Sequence, residues 1–113
     1  MYICSEIIRM LNTAFDDFIA PNSPARALDL YPLHLQPDID AINSWIYNDI
    51  NNGVYKCGFA GTQESYDNHV TALFQALDRV EIILSEPGRH WLVGDGQGKL
   101  TEADIRLFTT IVR

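Results

Sequence analysis

Basic residues and cysteines are scarce in this chain of 113 residues. Only 8 Lys and Arg side chains stand against 15 Asp and Glu, which gives a formal net charge of -7. A protein that follows phosphate groups needs a basic surface, so we expect no binding to nucleic acid or to an anionic membrane. The two cysteines, Cys4 and Cys57, form no Cys-x-x-Cys pair, which argues against a disulfide scaffold and predicts reduced, structural thiols.

Metal-ligand patterns and long apolar runs are also missing. The three histidines, His34, His69 and His90, are not spaced as pairs on one helix face, so no metal site is predicted. The sequence contains no run of about 18 apolar residues, which is the length that a membrane-spanning helix needs. Glu6 and Arg9 interrupt the apolar start of the chain, which does not resemble a signal peptide. We therefore expect a cytoplasmic protein.

What is present is typical of one small globular unit, with 47% hydrophobic and 20% charged residues. Apolar residues at helical spacing predict a first helix over residues 5–18, with Ser5 near its N-cap. Four prolines between residues 20 and 37 cannot sustain a helix, so residues 21–37 are predicted to form an extended linker. Four isoleucines then mark a second helix, which Asn52-Gly53 is expected to end through a positive φ angle.

Two further helices have clear start signals. Thr62 can cap a long helix that runs to about Leu84, with a seam of apolar residues at alternating spacings of four and three: Tyr66, Val70, Leu73, Leu77, Val80 and Leu84. Thr101 and Asp104 are in capping-box register for a last helix, and Leu100 can pack on Ile105 as a hydrophobic staple. Because no segment alternates like a strand, the fold class is predicted to be all-α.

The stretch that joins the second and third predicted helices uses an unusual set of residues. Residues 51–60 read Asn-Asn-Gly-Val-Tyr-Lys-Cys-Gly-Phe-Ala, and they resemble a signature of the glutathionyl-hydroquinone reductases, the Xi class of glutathione transferases. Residues 5–12, 29–32 and 100–107 support the same resemblance, in order and with similar spacing. The segment is expected to present Val54, Tyr55 and Phe59 from an irregular loop to a pocket.

This resemblance implies a fold and an organisation. It implies an incomplete C-terminal helical bundle of a glutathione transferase, over residues 38–113, preceded by the linker. Residues 1–20 would be the last helix of a thioredoxin-like domain that is otherwise missing. Family members carry a catalytic Cys-Pro motif upstream, and this chain has no Cys-Pro, so it is expected to be an inactive fragment.

The resemblance also implies substrates and site residues. Glutathione would be the co-substrate, quinone-derived molecules would be the other ligands, and the intact protein would be a homodimer. Tyr55, and to a lesser extent Tyr31, would border the hydroquinone pocket, and no residue of this chain would be catalytic. Family members open the first helix with a Glu-Ser pair that binds glutathione, and Ile3 and Cys4 replace that pair here, so Cys4 and Ser5 remain as a weak glutathione-binding remnant.

The residues themselves leave simpler interpretations open. A tyrosine after a glycine can merely pack its ring on the bundle. Cys4 is expected to be a buried thiol, and Arg9, Lys56 and Arg106 to be surface or helix-end charges, although Lys56 could meet a glutathione carboxylate. As alternatives to the reductase fragment, the chain could be a non-catalytic helical module that binds a protein partner, or a helical protein with no selected activity.

Overall fold

The computed structural model describes residues 2–94 and 98–113, with only the backbone described at Tyr2 and Ile3. Its helices are α1 (Tyr2–Leu11), α2 (Gln36–Ile46), α3 (Asn52–Gly58), α4 (Gln63–Leu84) and α5 (Glu102–Ile111). A π-helical turn (Tyr47–Asn51) joins α2 to α3, and short 3-10 turns lie at Asp16–Phe18, Pro24–Ala27 and Leu33–Leu35. The described residues contain no strand, which confirms the all-α prediction.

The two helices with the strongest start signals form as predicted. Thr62 caps α4, and its Oγ1 accepts a hydrogen bond from the Ser65 N–H at 3.1 Å. At α5 the Thr101 N–H donates to Asp104 Oδ2 at 2.9 Å, which is half of a capping box. Leu100 and Ile105 line one shared apolar groove, as a hydrophobic staple requires.

The middle of the predicted apolar seam of α4 packs on the bundle, whereas Tyr66 and Leu84 at its ends are exposed. Val80 is buried, Leu73 and Leu77 are half-buried, and both leucines pack against the central core. The core is shared by several elements and consists of Ile39, Ile46, Ile50, Ala76, Val80, Leu92, Val93, Ala103 and Leu107. Helix α4 packs on α3 and on the π-helical turn, while α2 packs on α5.

The first predicted helix is wrong at both ends. Helix α1 begins at Tyr2, so Ser5 lies inside it and not at the N-cap, and it ends at Leu11 and not at residue 18. The side chain of Asn12 explains the end, because its Oδ1 accepts from the Leu30 N–H at 2.9 Å and its Nδ2 donates to Asp29 at 2.8 Å. These bonds hold the chain after α1 against the linker.

The second helix does not end where the sequence predicted. Asn52 has the right-handed values φ -79° and ψ -26°, and no positive φ occurs at Gly53. The prediction of a sharp turn there is therefore wrong, and residues 52–58 continue as α3. Gly53 is buried, and a β carbon at this position would lie 3.5 Å from Leu73 Cδ1, so α3 packs close to α4 and leaves room here for a small residue.

The linker is also more folded than predicted, because two 3-10 turns lie within it and α2 begins at Gln36 with Pro37 in its first turn. The chain is elongated, with a radius of gyration of 16.4 Å against about 13 Å for a compact domain of similar length. Large apolar side chains are accordingly exposed, including Phe18 and Phe59. Among residues 2–94 and 98–113, no helix has the length and apolar character needed to cross a membrane.

Candidate functional site: two neighbouring polar pockets of the bundle

A polar cleft of about 630 Å³ lies between α1 and α2, and we call it the α1–α2 cleft. Its lining consists of Ser5, Arg9, Asp40, Asn43, Ser44, Tyr47, Asn48 and Arg106. Ser5 and Arg9 come from one face of α1, since residues four apart share a helix face. The cleft therefore combines hydroxyl, amide, carboxylate and guanidinium groups from α1, α2, the π-helical turn and α5.

Glu102 is the centre of the charge network beside this cleft. It stands at the start of α5 with only 2% of its surface exposed. Arg9 donates to Glu102 Oε1 from Nη2 at 3.0 Å and from Nε at 3.2 Å, and Asn43 Nδ2 donates to the same oxygen at 3.1 Å. Arg106 Nη1 adds an ion pair at 3.7 Å. A buried carboxylate is tolerated here because two guanidinium groups and an amide surround it.

Arg9 carries this network outward to Asp40. Its Nη2 donates to Asp40 Oδ1 at 2.6 Å, and its guanidinium carbon lies 4.0 Å from the centroid of the Tyr31 ring. Burial on its own lowers the pKa of Arg9, but the hydrogen bonds to Glu102 and Asp40 more than offset it, and the pKa is raised above its ordinary value. Arg9 therefore stays a cation that joins α1 to α2 and α5.

Tyr31 is bound to the same network. Its hydroxyl donates to Asp40, with Oδ1 at 2.8 Å and Oδ2 at 2.9 Å. Burial raises the pKa of Tyr31, and the hydrogen bond to the Asp40 carboxylate raises it further. A substrate oxygen that approached this phenol would have to compete with a carboxylate for its proton.

Tyr55 lies in a different pocket. A cavity of about 480 Å³, which we call the Tyr55 cavity, is lined by Asn51, Val54, Tyr55, Thr109, Thr110 and Arg113. Tyr55 is half exposed, and its hydroxyl oxygen accepts a hydrogen bond from Arg113 Nη1 at 2.9 Å. Arginine can only donate, so this bond leaves the phenolic proton of Tyr55 available to another acceptor.

Asn51 fixes the two helices that form the Tyr55 cavity. Its Nδ2 donates to the Arg106 carbonyl at 3.0 Å and also to the Thr110 hydroxyl. Tyr55 lies one turn beyond Asn51, whereas Arg113 lies three residues after Thr110 and beyond the end of α5. The amide of Asn51 therefore joins the two segments from which Tyr55 and Arg113 meet.

The predicted site residues thus fall into separate places. Ser5 lines the α1–α2 cleft, Tyr31 hydrogen bonds to a residue of that cleft, and Tyr55 lines its own cavity. Cys4 is exposed on α1, so the prediction of a buried thiol is wrong. Cys57 is partly buried, and both thiols are free. Val54 and Tyr55 line the Tyr55 cavity, although they lie on a helix and not on an irregular loop, whereas Phe59 is exposed and does not line that cavity.

Arg9 and Arg106 were predicted to be surface or helix-end charges, and Arg9 does lie in the last turn of α1. Their side chains are nevertheless only 35% and 15% exposed, because Glu102 holds both. Lys56 also has a partner, because its Nζ donates to the Asn48 carbonyl at 3.1 Å. The sequence contains a trace of this arrangement, because Glu102 and Arg106 are four residues apart on a capped helix. Nothing local indicated that Arg9 and Asn43 would join them.

The sequence and the fold of this chain are similar to those of known proteins. The chain is 54% identical over 110 residues to "Glutathionyl-hydroquinone reductase YqjG" of Escherichia coli (strain K12), a match that covers 96% of this chain and 30% of that protein. The crystal structure of glutathione transferase Xi 1 from Trametes versicolor superposes with a TM-score of 0.85 at 57% identity. That match covers 96% of this chain and 35% of the Trametes chain.

The chain belongs to the Xi-class glutathione transferase family. Its helices correspond to the C-terminal helical domain of these transferases. A further Xi-class structure, of ECM4 from Saccharomyces cerevisiae in complex with glutathione, superposes with a TM-score of 0.85 at 44% identity, over 96% of this chain and 36% of that one. The chain therefore spans about one third of the length of the relatives it matches. No protein-family model matches it.

Proposed function

We propose that this Xi-class chain forms the helical side of a substrate site in which glutathionyl-hydroquinones are reduced with glutathione. The Tyr55 cavity carries the proposal, because it presents a phenol with an uncommitted proton beside a guanidinium and two threonine residues. The name of the Escherichia coli relative, a glutathionyl-hydroquinone reductase, supports the substrate class, and the glutathione complex of yeast ECM4 supports glutathione as co-substrate.

The proposed reaction needs a cysteine thiolate that this chain does not contain in a Cys-Pro motif. That thiolate attacks the glutathione sulfur of the thioether, the bond from sulfur to the ring carbon breaks, and a mixed disulfide forms. The ring carbon takes up a proton and hydroquinone leaves. A second glutathione thiolate then attacks the mixed disulfide, so that glutathione disulfide leaves and the enzyme thiolate is restored.

The residues of this chain would bind and orient the reactants. Tyr55 donates a hydrogen bond to an oxygen of the ring, on which negative charge develops as the carbon-sulfur bond breaks. Ser5, in the α1–α2 cleft, supplies a hydroxyl near the position at which the resemblance places the glutamyl end of glutathione, with Cys4 beside it in sequence. Tyr31 is the weaker substrate contact, because its hydroxyl already donates a hydrogen bond to Asp40.

Replacing the matching third of YqjG with this chain gives a chimera in which the proposal can be tested. Tyr55→Phe keeps the ring and removes the hydroxyl, so we expect kcat/KM for glutathionyl-menadiol to fall by roughly tenfold, which is the value of one hydrogen bond. Release of glutathione disulfide, followed by chromatography, measures turnover. Unchanged kinetics together with an unchanged melting temperature would make Tyr55 a packing residue only.

Cys4→Ser in the same chimera tests the assignment of the nucleophile. We expect it to retain turnover, because the attacking thiolate belongs to a motif outside this chain. The 113-residue chain alone should release no glutathione disulfide for the same reason. Turnover by the isolated chain that Cys4→Ser abolishes would contradict this assignment.

Two parts of the proposal concern the setting of the reaction. A cytoplasmic location is proposed because thiol-dependent reduction by glutathione needs a reducing compartment. The homodimer that the family resemblance implies is proposed for the intact protein only. Size-exclusion chromatography of the chimera with light scattering tests that assembly.

A further inference from the structure

We propose that Arg113 is a positioning residue for Tyr55: its guanidinium holds the phenol oxygen from one side, so that the phenolic proton is presented to the substrate. The inference rests on the proposed function, because it assumes that Tyr55 contacts the hydroquinone. The observation behind it is the bond from Arg113 Nη1 to the Tyr55 hydroxyl oxygen at 2.9 Å.

The direction of this bond decides its effect. A phenol has one proton and an oxygen that can accept, whereas a guanidinium has donors only. Tyr55 must therefore be the acceptor towards Arg113, and its own proton points elsewhere. Any ligand in the Tyr55 cavity that carries an oxygen acceptor can accept a hydrogen bond from this phenol.

The segments that carry the pair are joined to each other. Asn51 on one side and Thr110 on the other are joined by a hydrogen bond, and Asn51 also holds the Arg106 carbonyl. Tyr55 follows Asn51 by one helical turn, and Arg113 follows Thr110 by three residues, beyond the end of α5. A half-exposed tyrosine ring would otherwise sample several orientations, so a charged donor at 2.9 Å restricts the ones that suit the substrate.

The guanidinium also changes the strength of the next hydrogen bond. A cationic donor on the phenol oxygen draws electron density from the O–H bond, and hydrogen bonds in a chain strengthen one another. The departing ring gains negative charge, so a more polarised phenol stabilises the transition state more than the bound substrate. Arg113 would therefore affect kcat more than KM, because it acts through the phenol oxygen of Tyr55.

A double-mutant cycle in the YqjG chimera tests the positioning role. Arg113→Gln should lower kcat for glutathionyl-menadiol roughly three- to tenfold, with KM nearly unchanged, and Arg113→Lys should restore part of the loss. In the Tyr55→Phe background, Arg113→Gln should have no further effect, because the oxygen that Arg113 holds is gone. Arg26→Gln is the matched control, since that arginine donates to the Ile19 carbonyl instead.

The outcomes separate the two proposals. If Tyr55→Phe lowers turnover but Arg113→Gln does not, the proposed function stands and the role of Arg113 is wrong. Equal losses from Arg113→Gln in both backgrounds would also overturn the role, because the arginine would then act independently of Tyr55. An unaffected Tyr55→Phe variant would overturn the proposed function and the inference with it.

The 113-residue chain itself gives a second measurement that needs no turnover. Carbon-13 labelling of tyrosine allows the Cζ resonance of Tyr55 to be followed by nuclear magnetic resonance, with Tyr55→Phe assigning the signal. Arg113→Gln should shift this resonance and leave that of Tyr31 unchanged, because Tyr31 is bound to Asp40. A Tyr55 resonance that does not respond would show that the bond is not formed in solution, which overturns the inference.

Discussion

Glu102→Ala should destabilise the fold more than any other substitution of a charged residue in the network of Arg9, Asp40, Glu102 and Arg106. Glu102 is 2% exposed and receives bonds from Arg9 and Asn43, with Arg106 as a further ion-pair partner. Removing the carboxylate leaves the amide of Asn43 and the guanidinium groups of Arg9 and Arg106 without their common anionic partner. The loss of stability is set by the interactions that these groups lose, because they cannot all replace them with hydrogen bonds to water.

The magnitude follows from the exposure of each partner. Removing one member of a buried pair costs about 3–5 kcal/mol, and the stranded amide of Asn43 belongs to a residue that is 6% exposed. Arg9 offsets part of this, since its side chain is 35% exposed and keeps Asp40. We therefore expect the free energy of unfolding to fall by about 3 kcal/mol, or a melting temperature lower by about 12 °C for a chain of this size.

Chemical denaturation of the 113-residue chain measures this loss. Glu102→Gln keeps an oxygen acceptor without the charge, so its loss should be about half as large. Asp40→Asn, at a side chain that is 51% exposed, should cost less than about 1 kcal/mol. Glu81→Gln on the exposed face of α4 is the control and should stay within about 0.5 kcal/mol. A Glu102→Ala variant as stable as this control would refute the reasoning.

Gly53→Ala should raise the free energy of unfolding by about 0.5–1 kcal/mol, because a β carbon meets Leu73 at an ordinary 3.5 Å and glycine is costly inside a helix. Gly53→Leu should lower the stability, because its larger side chain does not fit between α3 and α4. Thermal melts that show the reverse order would contradict the close packing of α3 on α4. Tyr31 should ionise above the ordinary range of a phenol in an alkaline titration followed at 295 nm, since its pKa is raised by burial and by Asp40. The folded pKa lies above the unfolded one, so this stabilisation is complete below about pH 10 and is lost as the pH rises through the folded pKa. Asp40→Asn should move the Tyr31 transition to lower pH, and a transition that does not move would show that the carboxylate is not its cause.

Helices α4 and α5 could be predicted from the sequence because their signals are local. A capping threonine, a carboxylate three residues later and an apolar seam all act within two turns of the chain. Thr62 and Thr101 stand directly before these helices in the structure, as predicted. The burial of Ile39, Ile46 and Ile50 follows equally from their spacing along one helix face.

The end of α2 could not be predicted in the same way. Asn-Gly is a strong turn signal, but its preference for positive φ is worth little against burial. Gly53 is buried beside Leu73 and its φ is not positive, so the chain continues as a helix through this position. At Asn12 the error is the reverse, because the helix ends earlier than predicted. The side-chain bonds of Asn12 to Leu30 and Asp29 end α1, although apolar spacing continues to Phe18.

The candidate site was predictable only in part, because its polar groups come from distant segments. Residues 51–60 drew attention to Tyr55, but the partner of its hydroxyl is 58 residues away. Arg9 and Glu102 are 93 residues apart, and a charged residue on a helix is exposed in most proteins. A single sequence gives no reason to pair them, since the pairing depends on how α1 and α5 meet.

The structure gives separate physical reasons for the first residues of the stretch 51–60. Asn51 holds α5 through Arg106 and Thr110, and Gly53 lets α3 pack on α4. Both residues act on the backbone positions of helices, so they fix where the next turn of α3 points. Tyr55 stands on that turn with its oxygen held by Arg113 and its proton free. The proposed role of Tyr55 needs this arrangement, in which the oxygen is held from one side and the proton can be donated to a ligand.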